Sequence, residues 1–109
     1  MFDRANDKKF VKWAKQVKNR DNFTCQICFR ENVYLNSHHM NSWDMFTKER
    51  YDLDNGITLC SDCHDQFHNI YGRGKNTKYQ FQEYRDTITL LKTIAKKVVL
   101  AKKIEPAKP

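Results

Sequence analysis

The 109-residue sequence has no apolar run long enough to span a membrane, no internal repeat and no linker long enough to separate two domains. Its opening, Met1-Phe2-Asp3-Arg4, leads straight into a charged, periodic segment without the apolar core of a secretory signal. A membrane-spanning or exported protein is therefore not expected. The expected compartment is the cytosol, where thiols stay reduced. Apolar residues are also few: mean hydropathy is −0.86 and 30% of the residues are charged, so one domain over residues 1–109 can bury only a small core. Such a core needs an added constraint. Four cysteines can supply it, and reduced surroundings favour metal over disulfides.

Acidic residues are scarce at both ends. Residues 1–20 carry seven basic side chains against two acidic, and residues 91–109 carry six against one, whereas residues 21–90 carry seven against ten. Basic arms around a mildly acidic centre suit a polyanion gripped on either side of a cation-collecting site. Lysine-rich helices are equally well explained as solvated faces, so charge alone leaves both readings open.

Phe10, Trp13, Ala14 and Val17 recur at helical spacing, with Lys8, Lys9, Lys12, Lys15 and Lys18 on the other face. This predicts a basic helix over about residues 6–19, capped by Asn6 or Asp7. Val33-Tyr34-Leu35 reads as a strand running into His38-His39, and Ile57-Thr58-Leu59 reads as its partner after a turn at Asp54-Asn55-Gly56. Between them, Asn41 to Leu53 reads as a surface loop anchored by Trp43, Phe46 and Tyr51. A helix should start near Ser61 and stop at Gly72, followed by the basic loop Gly72-Arg73-Gly74-Lys75-Asn76. Thr77-Lys78-Tyr79-Gln80 fits a capping box, so a long helix over about 78–102 is expected, with Tyr84, Ile88, Leu91, Ala95 and Val98 as its buried stripe. Glu105 to Pro109 should form a loose tail.

All four cysteines and all four histidines lie between Cys25 and His68. Cys25-Gln26-Ile27-Cys28 and Cys60-Ser61-Asp62-Cys63 are two C-x-x-C pairs, and four sulfurs satisfy tetrahedral zinc with no open position, which makes a structural site. A rubredoxin-type iron site has the same ligand pattern, and disulfides or packed thiols are the remaining readings. His64 and His68 are four apart on the predicted helix and share a face, where they can bind one ion. His38 and His39, adjacent at a strand end, must point different ways, so one can be a ligand while the other acts as a base. Alternatively, a histidine replaces a cysteine on zinc, or the doublet is only a polar strand end. Four histidines in one cluster favour a second metal site.

This stretch resembles the HNH endonuclease family in four places: Arg20-Asp21-Asn22-Phe23-Thr24-Cys25-Gln26-Ile27-Cys28, Leu35-Asn36-Ser37-His38-His39-Met40, Leu53-Asp54-Asn55-Gly56-Ile57-Thr58-Leu59-Cys60, and Cys63-His64 through His68. The match covers roughly residues 11–71, and the cysteine pairs mark the zinc-stapled branch. The resemblance implies an α+β fold, a small ββα-metal, treble-clef-like core over about residues 20–72, flanked by the N-terminal and the long C-terminal helix. It implies His39 as general base, Asn55 as the residue that holds the turn and aims it, and His38 and His64 as ligands of a catalytic divalent ion. His68 matches a third ligand of the colicin-like branch. The implied reaction is hydrolysis of DNA phosphodiesters to 5′-phosphate and 3′-hydroxyl ends. An all-histidine set suits Mn, Ni or Zn better than Mg, although waters and phosphate oxygens could complete a magnesium shell. The small basic form is similar to phage-encoded HNH proteins, including free-standing homing nucleases. Met40 and Ser42 depart from the family, which often has Ile or Val at the first and Pro at the second. The second change is expected to loosen the loop after the base.

DNA is the expected partner, with Lys12, Lys15, Arg73, Lys75, Lys92, Lys96 and Lys97 as candidate contacts. A second copy or a phage protein is a further expected partner. The alternative is a catalytically silent zinc module that binds nucleic acid or serves a phage assembly machine. A module of that kind would need no base beside a metal ligand, and His38, His39, Asn55 and His64 are all in place.

Overall fold

The computed structural model describes residues 4–104, so the expected tail at Glu105–Pro109 lies outside the described residues. Helix α1 runs Lys8–Arg20, strand β1 Leu35–His39, strand β2 Gly56–Cys60, helix α2 Ser61–Tyr71 and helix α3 Lys78–Ile104. The strands form a two-stranded antiparallel sheet in which Leu35 pairs with Cys60 and His39 with Gly56. The fold is a small α+β arrangement of three α-helices around this sheet, as expected from the ββα-metal resemblance. The sheet is covered on one face by α1 and on the other by α2, with α3 packed beyond α2.

Helix α1 starts where the Asp7 carboxylate accepts the Lys9 N–H at 3.0 Å. Its apolar row buries Trp13 and Val17 against β2. At its end, Arg20 donates to the Leu53 and Gly56 carbonyls, each at 2.7 Å, and pairs with Asp21. The Asp21 carboxylate in turn accepts the Thr58 N–H at 3.0 Å. One arginine and one aspartate thus fix the entry of β2 to the end of α1.

The capping box at Thr77 and Gln80 forms in both directions: Gln80 N–H meets Thr77 Oγ1 at 3.3 Å, and Thr77 N–H meets Gln80 Oε1 at 3.1 Å. Phe81 and Tyr84 of α3 join Phe67 in the core, and Tyr84 Oη donates to Gln66 Oε1 at 2.8 Å.

Three expectations change. Strand β1 begins at Leu35, leaving Val33 and Tyr34 outside it. Asn55-Gly56 is not a hairpin turn: residues 40–55 form a long connection, Leu53–Asn55 is a 3-10 turn, and Gly56 already belongs to β2. The buried stripe of α3 stops at Ile88, with Leu91 55% and Val98 48% exposed and Ala95 also on the surface. The sheet and α2 end before the last turns of α3, so the apolar period there meets no protein surface among the described residues.

Gly56 sits where α1 crosses β2. A Cβ there would lie 2.6 Å from the Trp13 ring and closer still to Val17. Gly56→Ala should therefore lower stability by about 1–3 kcal/mol through overpacking. Urea unfolding followed by circular dichroism would measure it, and an unchanged midpoint would mean that α1 does not approach β2 this closely.

Candidate active site

The sulfurs of Cys25, Cys28, Cys60 and Cys63 lie within 4.8 Å of one another. The first pair sits on a turn in which Cys25 N–H meets the Arg30 carbonyl at 3.1 Å and Phe29 N–H meets the Cys25 carbonyl at 2.9 Å. Phe29 takes a left-handed φ of 62° to close it. The second pair opens α2: Cys60 is its N-cap, and its sulfur accepts the Cys63 N–H at 3.5 Å. Burial and the neighbouring sulfurs push the Cys63 thiol up, and burial raises Cys60. At Cys28 burial also opposes ionisation, but the Arg30 guanidinium, 3.2 Å from its sulfur, pulls it down to about 6. Four sulfurs this close cannot all ionise without a cation between them, and the donor set is that of a closed tetrahedral zinc site.

A second cluster involves residues further along α2. Ring nitrogens of His38, His64 and His68 fall within 4.8 Å of one another. His38 Nε2 is buried and has no hydrogen-bond partner among the described residues. His68 Nδ1 donates to the Gly72 carbonyl at 2.8 Å, which leaves Nε2 with its lone pair facing His64 Nε2 at 3.1 Å. Burial, with the neighbouring histidines, holds His38 well below the usual imidazole range, and burial and His68 lower His64 to about 4. Three imidazole nitrogens aimed at one point, one of them orphaned, fit a divalent ion. His68, expected with least support, stands with the other two.

Strand alternation turns His39 the opposite way, onto α1. Its ring stacks on Trp13 with centroids 3.9 Å apart and planes 13° from parallel, and Phe10 and Trp43 close the sides. Nε2 faces the Arg50 carbonyl at 2.9 Å and so carries the proton, leaving Nδ1 as the acceptor. Burial, reinforced by the charges of Arg4 and Arg50 and opposed by that hydrogen bond, lowers the His39 pKa. The ring is therefore neutral at pH 7, the state a base needs.

Asn55 is buried and cross-linked to the segment after His39. Its Oδ1 accepts the Asn41 N–H at 2.8 Å, and its Nδ2 donates to the Asn41 carbonyl at 2.9 Å and the Glu49 carbonyl at 3.3 Å. Ser42 tightens that segment rather than loosening it. Its N–H donates to the Asn76 carbonyl at 2.9 Å, a bond that proline could not make.

His38, His39, His64 and His68 line one open cavity of about 480 Å³. Of the basic residues singled out from sequence, Arg73 lines it too and pairs with Asp65 at 3.4 Å. Lys75 stands in the adjoining loop, its N–H 3.2 Å from the Asp44 carboxylate. Lys12 and Lys15 lie around a separate shallow hollow on α1, and Lys96 and Lys97 lie on the exposed end of α3. Lys92 is engaged locally: its ammonium donates to the Ile27 carbonyl and sits 5.0 Å from the Phe29 ring centroid. Arg4 and Lys18, not singled out as site residues, do line the cavity. Lys18 could have been found from the i, i+4, i+8 row of Phe10, Ala14 and Lys18; Arg4 precedes α1 and carries no pattern.

The family model described as HNH endonuclease matches residues 25–69, the segment that carries both clusters. The chain belongs to the HNH endonuclease family. It is also 35% identical over 57 residues to Anaredoxin from Nostoc sp., covering 52% of this chain and 72% of that protein. No solved structure matches it. No helix among the described residues is long and apolar enough to cross a membrane. Family membership supports a nuclease-type function in general terms, with the four cysteines as the structural metal site of this HNH domain.

The two clusters should separate on substitution. Cys63→Ser should lose the structural metal and the circular dichroism of the folded chain, whereas His38→Ala should remain folded and retain one zinc per chain. A His38→Ala variant that binds no zinc would place that histidine on the structural ion.

Proposed function

We propose that this HNH protein is a metal-dependent DNA endonuclease that nicks or cuts duplex DNA. The observation that carries the reading is the pairing of three converging histidine nitrogens on one side of β1 with a neutral His39 on the other, all opening onto one cavity. His38, His64 and His68 would hold a divalent ion such as Mn, Ni, Zn or Mg, which when bound stabilises charge on the scissile phosphate and on the leaving 3′ oxygen. His39 Nδ1 takes a proton from water as that water attacks phosphorus in line. The P–O3′ bond breaks with its electron pair on oxygen, which is protonated by solvent, leaving 5′-phosphate and 3′-hydroxyl ends. Trp13 and the Arg50 carbonyl hold the base in orientation, and Asn55 ties down the segment that follows it. One chain carries one such site, so cutting both strands requires a second copy or a second event. The small basic form supports a phage-encoded protein working in the cytosol of its host.

A second reading rests on the four-cysteine donor set, which is also that of a rubredoxin-type iron site. Four thiolates, two of them contacted by Arg30, would hold iron as well as zinc. Iron in that site would give the purified protein visible absorbance that bleaches on reduction; a colourless protein with stoichiometric zinc removes this reading.

Plasmid cleavage with added divalent ions tests the nuclease reading. His39→Ala should slow cleavage by about 10²- to 10⁴-fold in a folded protein with metal content unchanged. Full activity in that variant would overturn the assignment of the base, and a wild type that fails to cut whichever ion is added would leave a silent zinc module.

The cavity cations offer a separate test. Replacing Lys18 and Arg73 with alanine should flatten the dependence of log affinity on log salt by roughly one unit for each phosphate no longer neutralised. An unchanged slope in that variant, with a flatter one in a Lys96, Lys97 double variant, would move the DNA track to α3.

A further inference from the structure

The cavity continues past the histidines along β1, between α1 and α2, to Tyr34, Asn36 and Lys18. Tyr34 is 75% exposed although it lines the cavity, and its ring has no aromatic or cationic neighbour among the described residues. The Asn36 amide and the Lys18 ammonium likewise have no hydrogen-bond or ion-pair partner there. Asn36 and His38 share one side of β1 by alternation, and Tyr34 stands just before the strand. An open aromatic face, an amide that can donate and accept, and a cation are the three groups that bind a nucleotide by stacking, by its base edge and by its phosphate. A base within a continuous duplex already has both faces stacked, so such a platform serves only a base that is unpaired or splayed out.

Resting on the nuclease reading for the chemistry next to it, we propose that Tyr34, Asn36 and Lys18 form a subsite for an unpaired nucleotide, with Tyr34 roughly 13 Å and Asn36 roughly 7 Å along the strand direction from His38. The preferred substrate is then DNA that is single-stranded or locally opened a few nucleotides from the scissile phosphate.

The test uses one sequence as a single strand, as a bubble and as a full duplex, with 2-aminopurine near the cleavage position. Binding is measured on zinc-loaded protein without further divalent ion, and cleavage is measured with manganese. Wild type should bind the unpaired substrates about tenfold more tightly than the duplex and quench 2-aminopurine. Tyr34→Ala should abolish both the preference and the quenching, Tyr34→Phe should restore them, and Asn36→Ala should weaken the preference. Equal binding of all three substrates by wild type, or an undiminished preference in Tyr34→Ala, overturns the subsite. If the preference depends on Tyr34 but nothing is cut with any ion, the subsite stands and the nuclease reading fails. If DNA is cut and Tyr34→Ala changes no preference, the nuclease reading stands and the subsite fails.

Discussion

The arrangement depends on the register of β1 against β2. Successive strand residues face opposite sides, so a slip of one residue would exchange His38 and His39, turning His38 toward Trp13 and His39 toward the core. The register is held at several points. Gly56 allows α1 to approach the start of β2, Arg20 and Asp21 bind the Gly56 carbonyl and the Thr58 N–H, and Ser37 Oγ donates to the Ala14 carbonyl at 2.7 Å. At the far end Leu35 pairs with Cys60, which is itself a member of the cysteine cluster. The word Arg20-Asp21 that contributes to the family resemblance thus has a mechanical reason: it locks the strand opposite the histidines.

The two clusters are coupled through α2. Cys60 and Cys63 sit at its first turn and His64 and His68 along it, so the helix anchored by the cysteine cluster also carries two of the three clustered histidines. Phe67 lies between them, against Phe81 and the His38 ring, and carries the packing from core to site. The low pKa of His64 and the neutral state of His39 both follow chiefly from burial at these contacts. In so small a domain the aromatic core also sets the protonation of the site.

Much of this was legible from residue order. The starts of α1 and α3 follow from Asp7 and Thr77, the end of α2 from Gly72, and the pairing of His64 with His68 from helical period alone. Other features depend on tertiary neighbours that no local pattern reports. Leu91, Ala95 and Val98 repeat as a core stripe should, yet the core ends first. Asn55-Gly56 reads as a tight turn because the dipeptide is typical of one, whereas here Asn55 clamps a connection that spans residues 40–55. Lys92 reads as a phosphate contact but reaches back to the Ile27 carbonyl, and Arg4 enters the cavity from ahead of the first helix.

The central claim is that one short chain holds two metal ions apart, cysteines around one and histidines around the other. Anomalous diffraction from crystals grown with manganese, collected at the manganese and zinc edges, tests it most directly. The account predicts a manganese peak among the ring nitrogens of His38, His64 and His68 and a zinc peak among the four sulfurs. A single peak, or one ion shared by sulfur and His38, would contradict it.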